Sequence, residues 1–423
     1  IFKFFNHASS LVLKMSELEK VINDDYFYSK SFEELKKENE ELFKELFEAN
    51  YKLSYANPTY SVSVFGDKIG QVFSALYCGF RGYITYAFKH KIFMMEKYNR
   101  LCIEVFNYVK NSEVSFEGLQ KIIAKYESMT LERDFEFFFT EKFYKDFGFY
   151  DDIVLNSNIN DLRYLFKYGI YISENEIKTA EFLLDYPVEK LKIVTAAIAK
   201  AYVTGFIRDN KDITKRSDVR IVSNLGQERL VRQLIKEFKK HNLNAYISQV
   251  ISTDVNKQYD YDHKFDNALY LDEELAKLRI TAFEKAAEKC HGFLKDYSGI
   301  MYIDKFGETP FSPKNTKERL KLSDEQLKLH QKEENRKTEI IEKHHIPWTE
   351  TSFCIVAFPT PEIGDNFEKI FEETIKINML DSDKYEVIQQ VIIDALDDGE
   401  YVHVKGKEDN ATDIKVKLNK LQN

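Results

Sequence analysis

Near residue 210 the periodicity of the chain changes, and that change restricts the possible folds more than any other feature. Before it, apolar residues recur at three- and four-residue steps, the spacing of one helix face. SFEELKKENEELFKELFEANYKL opens on Ser31 as a helix cap, carries Glu33 and Glu34 in its first turn, and is stopped by Asn57-Pro58. An aromatic-rich helix over 61–96 follows, then helices over 98–111, 115–127 and 130–147, and two across 173–206 parted near Pro187. After 210, short apolar runs alternate with helices. Strands are predicted at 219–225, 244–251, 299–306 and 352–358, and helices at 227–243, 268–295 and 323–345. SFCIVAF (352–358) is apolar at nearly every position, as in a strand covered on both faces. Helices at 364–379 and 383–398 precede a hairpin that turns at 406–410. Strand–helix alternation implies right-handed crossovers and a parallel sheet. The predicted fold class is α/β, a helical N-terminal domain followed by a doubly wound, mostly parallel α/β domain. Its expected parts are 1–14 as a leader or non-native start, 15–210 as the helical domain and 211–423 as the α/β domain, with Met15 opening the first helix.

A chain of 423 residues exceeds one ordinary core, so two or three domains are expected. A net charge of -9 gives no basic footprint for nucleic acid. The cysteines Cys78, Cys102, Cys290 and Cys354 lie far apart with no CxxC pair, which suits a reducing, cytoplasmic setting better than a zinc ribbon. The most membrane-like stretch, 65–88, contains Asp67, Lys68 and Arg81, so no membrane span is expected. Its small residues Gly66, Gly70, Ser74, Cys78 and Gly82 recur every four positions, a stripe along which another helix backbone can approach.

Several motifs invite a functional reading, each with a structural rival. SNLGQERLVR sits where a dinucleotide fingerprint belongs, but only Gly226 of the three glycines is present. Gly226 is therefore read as easing a tight turn and Glu228 as favouring the helix N-terminus. His344 and His345 lack metal-ligand spacing and suit the negative end of a helix before Pro347. Asp260, Asp262, His263 and Asp266 cluster between a strand and a helix, where local hydrogen bonding explains such residues better than a metal or acid–base site. The loop FPTPEIG (358–364), stiffened by Pro359 and Pro361, follows the carboxyl end of a strand, where parallel sheets gather ligands or present a surface to a partner domain.

Six segments in order carry a resemblance. They are GFIRDNKDITKRSDVRIVSNLGQERLVRQLIKEF, YDHKFDNALYLDEEL, MYIDKFGETPFSPKN with its FGE-x-PF loop, SDEQLKLHQ, SFCIVAFPTPEIGDNF and DNATDIKVKL. Across roughly 195–423 the chain resembles the N-terminal half of aminopeptidase T-type metallopeptidases, the thermophilic-metalloprotease or leucyl-aminopeptidase-like family. Residues 15–195 look like the helical extension of its clostridial-type members. The resemblance implies a cytoplasmic, dimeric exopeptidase that releases N-terminal amino acids from peptides with two divalent metal ions, zinc, cobalt or similar. The family's metal ligands follow the segment matching TDIKVKL, so no catalytic, cofactor-binding or metal residue is assigned to this chain, and the chain alone is expected to be inactive. The histidines His241, His263, His291, His330, His344, His345 and His403 show no ligand spacing of their own. The rival expectation is a non-catalytic interaction or scaffold protein built on the same domains.

Overall fold

The computed structural model describes residues 1–419. A helical N-terminal region leads into an α/β region, as the change of pattern implies. That change does not separate two compact units. Ile1–Phe371 forms one unit and Glu372–Asn423 another.

In the helical region the Ser31 cap is where the sequence places it, and a second cap stands at Ser173. Ser31 and Ser173 each close a capping box with a glutamate three residues on, Glu34 and Glu176, so backbone donors that the first turn leaves open are satisfied. The first helix does not open at Met15. It runs Phe2–Glu19, with Phe4, Phe5, Ala8 and Met15 on its buried stripe. The ring of Phe4 lies 4.7 Å from that of Phe73 and 5.3 Å from that of Tyr55, so residues 1–14 supply core packing. Two long helices expected from periodicity are broken. The helix from Ser31 ends at Phe43. The stretch 61–96 divides into Pro58–Phe65, Asp67–Arg81, Tyr83–Phe88 and the start of Ile92–Asn111. Gly66, at φ +85°, makes the first of these breaks. Gly70 makes the close approach expected of the small-residue stripe: a Cβ there would lie 2.4 Å from the Cα of Val62.

The α/β region holds strands β1 (Asp218–Asn224), β2 (Asn244–Ile251), β3 (Tyr297–Phe306) and β4 (Ser352–Pro359), all parallel, in the order β2-β1-β3-β4. Helix Glu228–Lys240 returns β1 to β2, Glu273–Leu294 carries β2 across to β3, and Asp324–His344 carries β3 to β4. Central β1 is buried at every position, flanked by β2 and β3. Below β3, Phe139, Phe143, Phe283, Leu294, Tyr297 and Ile340 form a continuous apolar cluster. β4 departs from expectation. It is an edge strand, and Phe353 and Ile355 are 61% and 60% exposed, so one face of SFCIVAF is bare. An apolar run alone does not distinguish a strand covered on both faces from an edge strand with one open face.

In the second unit, helix Ser382–Asp397 precedes an antiparallel hairpin of β5 (Tyr401–Lys405) and β6 (Asp413–Lys417), closed by the Gly406 N–H donating to the Thr412 carbonyl at 2.7 Å. Among the described residues no helix is long and apolar enough to cross a membrane.

Candidate functional site

β1 and β3 lie side by side, but the chain leaves them toward opposite edges of the sheet, which opens a crevice at their carboxyl ends. The loops that follow β2, β3 and β4 meet there. With residues 48–63 of the helical region, they enclose a cavity of about 790 Å³. Gly307 sets the geometry of the loop after β3. Its φ is +93°, and a Cβ would lie 2.7 Å from that of Ile363 in the loop after β4, so the two loops touch only because this position lacks a side chain. The next residue, Glu308, accepts hydrogen bonds from Lys257 and Lys305, each at 2.8 Å. Thr309 then donates its N–H to Glu362 at 2.7 Å, and Glu362 also accepts from Asn175 at 3.1 Å. The FPTPEIG loop thus contributes Glu362 to the cavity wall.

Electrostatics keep this cluster charged. Burial pushes the Glu308 carboxyl up, but the hydrogen bonds from Lys257 and Lys305 outweigh it and hold it below the usual glutamate range. The hydrogen bond that Lys257 donates to Glu308 raises Lys257 above its ordinary value. Glu362 is lowered by its bonds to Thr309. Asp254, on the same wall, is raised by burial. Burial and then the Asp254 charge also raise Asp260, to about 6. Lysines and carboxylates on one wall suit a zwitterion, with an ammonium facing acid and a carboxylate facing lysine. Among the described residues, the cavity wall contains no histidine or cysteine.

The motifs read from the sequence sort themselves around this cavity. Gly226 has φ +90° and lies so close to helix Glu174–Asp185 that a Cβ would be 2.6 Å from the Glu176 carbonyl. Glu228 is buried and accepts from the Tyr164 and Tyr168 hydroxyls at 2.7 and 3.0 Å. Burial raises its pKa. The helix N-terminus where a dinucleotide phosphate would dock already holds this carboxyl.

The acidic cluster 260–266 is drawn to the helical region. Asp262 accepts from Tyr51 at 2.8 Å and from Gln258 at 2.8 Å. His263 lies between Asp266, 2.7 Å from Nδ1, and the Ala56 carbonyl, 2.6 Å from Nε2. The ligand atoms of Cys78, His263 and Asp266 lie within 4.8 Å of one another, the one such group among the described residues. Both imidazole nitrogens face oxygen acceptors, so each is placed to donate rather than to bind a cation. His344 ends helix Asp324–His344 and His345 caps it, with Arg216 donating to the His345 carbonyl at 3.0 Å. His345 Nδ1 lies 3.0 Å from Nδ1 of His291.

Sequence reasoning singled out the 358–364 loop but missed Lys257, Lys305 and Glu308. The signal was available in MYIDKFGETPF, where a glycine and a glutamate follow the carboxyl end of a predicted strand. No family model, curated protein or solved structure matches the chain. Fold and cavity together define a parallel α/β protein with a charged crevice at the sheet's carboxyl edge.

Proposed function

We propose that this chain is the substrate-cleft portion of a metal-dependent aminopeptidase, cytoplasmic and homodimeric, whose two divalent metal ions are held by residues outside it. One observation carries the reading: the cavity at the carboxyl edge is lined by Lys257, Asp254 and Glu362, with Lys257 bonded to Glu308 and Glu308 to Lys305, an arrangement suited to the ends of a short peptide. The resemblance of the FGE-x-PF loop supports it, since that loop is the one that builds the wall. The role of the chain is to shape and cover the cleft. With zinc or cobalt present, the chain alone is expected not to hydrolyse leucine p-nitroanilide. A full-length homologue cut after the residue matching Asn423 should lose its activity. Hydrolysis by the isolated chain would overturn the reading.

A second reading, a non-catalytic interaction protein, draws on the second unit. Val387, Val391 and Ile392 on helix Ser382–Asp397 are 69%, 67% and 57% exposed, an apolar surface of the kind that partners cover. A stable complex with full-length activity unaffected by mutation of Lys257 and Lys305 would favour it.

A further inference from the structure

At the amino ends of β3 and β4, the opposite ends of these strands from the charged loops, lies a second cavity of about 640 Å³. Its wall is aromatic: Phe138, Phe139, Phe143, Tyr297, Trp348 and Phe353 contribute. Three cations stand in that wall, and Lys337 is paired with Glu333 and Glu334, which leaves Arg220 and Lys142. Arg220 projects from the middle of β1 and is only 8% exposed, and its Nε has no hydrogen-bond partner. Lys142 comes from the last turn of helix Leu131–Phe143. The two flank one ring: the guanidinium carbon is 5.7 Å and the ammonium 5.6 Å from the centroid of Phe143, with Phe138 4.9 Å from the ammonium. Among the described residues neither cation is paired with a carboxylate. The acids at the cavity rim are exposed, and Glu334 is engaged by Lys337 at 3.1 Å. Aromatic faces supply part of the missing compensation, but a buried guanidinium with an open donor calls for an anion. Burial, and after it the Arg220 charge, push Lys142 down to about 8, the response of an ammonium held beside a second cation.

We propose that this cavity binds an organic monoanion with an apolar tail, a medium-chain carboxylate, whose head group is held between Arg220 and Lys142 and whose tail lies against the phenylalanines and Trp348. The head group takes the open Arg220 donor, and a carboxylate accepts from a guanidinium more specifically than from a point charge. The tail takes the place of water against an aromatic wall, the usual balance of a small-molecule pocket. This site is independent of the carboxyl-edge cavity and of the peptidase reading.

Trp348 is the one tryptophan of the chain, so its fluorescence reports on this cavity directly. Titration of the intact chain with decanoate below its micelle concentration should give a saturable change in Trp348 emission. Arg220→Met and Lys142→Met should each weaken the midpoint by about tenfold or more, the loss of one charge-assisted contact. Decanol, with the same tail and no charge, should bind at least about tenfold more weakly than decanoate. No saturable change, equal binding of decanol and decanoate, or an unaltered midpoint in both variants would overturn the proposal. Should Arg220→Met fail to fold by circular dichroism, Lys142→Met and the decanol comparison decide the matter alone.

Discussion

The two ends of the parallel sheet treat charge in opposite ways. At the carboxyl ends, Lys257, Lys305 and Glu308 satisfy one another, and their surroundings favour the charged forms of Glu308, Glu362 and Lys257. At the amino ends, Arg220 and Lys142 share an aromatic cavity in which neither is paired with a carboxylate, and burial weakens the charged forms of Lys142 and His345. The difference separates two kinds of polar site. The carboxyl edge is an assembled network whose members hold the loops in register. The amino end contains an uncompensated positive field, stable in the fold only because packing around it is extensive. A network of the first kind loses stability when a member is removed, whereas a site of the second kind gains stability when its charge is removed.

The largest expected effect attacks the geometry of the carboxyl edge. Gly307→Val places a β-branched residue at φ +93° and drives its Cβ to within 2.7 Å of Ile363. Backbone strain and overlap together should lower stability by about 2–4 kcal/mol. Urea unfolding measures this, and a change below about 0.5 kcal/mol, the scale of ordinary surface substitutions, would show that the two loops are not in contact. The next effect has opposite signs at the two ends. Arg220→Met should raise stability by about 1–3 kcal/mol, because a buried charge without a partner gives way to an apolar group of similar length. Lys305→Met, which opens a bond to Glu308, should lower it by about 0.5–1.5 kcal/mol. Destabilisation by both variants would mean that Arg220 has compensation after all and would remove the contrast.

The sequence was informative about elements and silent about partners. Each of β1, β2, β3 and β4 sits within two residues of an apolar run, because parallel strands need continuous burial and show it. The capping boxes at Ser31, Ser173 and Ser323 were equally readable, being local in sequence. Breaks inside helices were not, since Gly66 differs from Gly70 only in its backbone angle. Coverage of β4 depended on its place at the edge of the sheet, which periodicity does not encode. The site suffered most. Lys257 and Glu308 are 51 positions apart in sequence and meet only through the crossover from β2 to β3. Arg220 in VRIVS reads as ordinary strand polarity, and nothing in the string reveals that no acid faces it.

The third effect concerns pH at the amino end. Burial lowers His345 to about 4, and the neighbouring charges of His291 and His344 add to this. In the interval between about 4 and the ordinary histidine value of 6.5, the unfolded chain binds more protons at this residue than the folded one. The contribution is therefore complete above 6.5 and is lost as pH falls toward about 4. It should amount to about 1–3 kcal/mol, less whatever His291 shares through their contact. Buried acids with raised pKa values, Glu228 and Asp260 among them, slope the other way in the same range, so the difference between the natural chain and His345→Gln is the quantity to measure. A stability difference that stays flat between pH 4 and 7 would show that His345 takes up a proton without resistance, and the amino end would then not be hostile to positive charge.

The smallest effect tests whether the carboxyl edge is a network or a set of surface pairs. Lys257 and Glu308 are each 27% exposed, so solvent screens their attraction and Lys257→Met should lower stability by only about 0.2–1 kcal/mol. Its pH dependence is more telling than its size. Glu308 has a lowered pKa, so its contribution is present above the ordinary glutamate value of 4.5 and disappears as pH falls through the lower folded value. The loss caused by Lys257→Met should therefore fade toward pH 3 and should grow when Lys305 has already been replaced, because Lys257 is then the last of the two lysines on one carboxylate. A double-mutant cycle of Lys257→Met with Lys305→Met measures that coupling. Strict additivity would mean that the two lysines stabilise the loops separately, and the wall of the cavity would then be a collection of independent pairs with no claim to the preorganisation that a ligand site at the sheet's carboxyl edge requires.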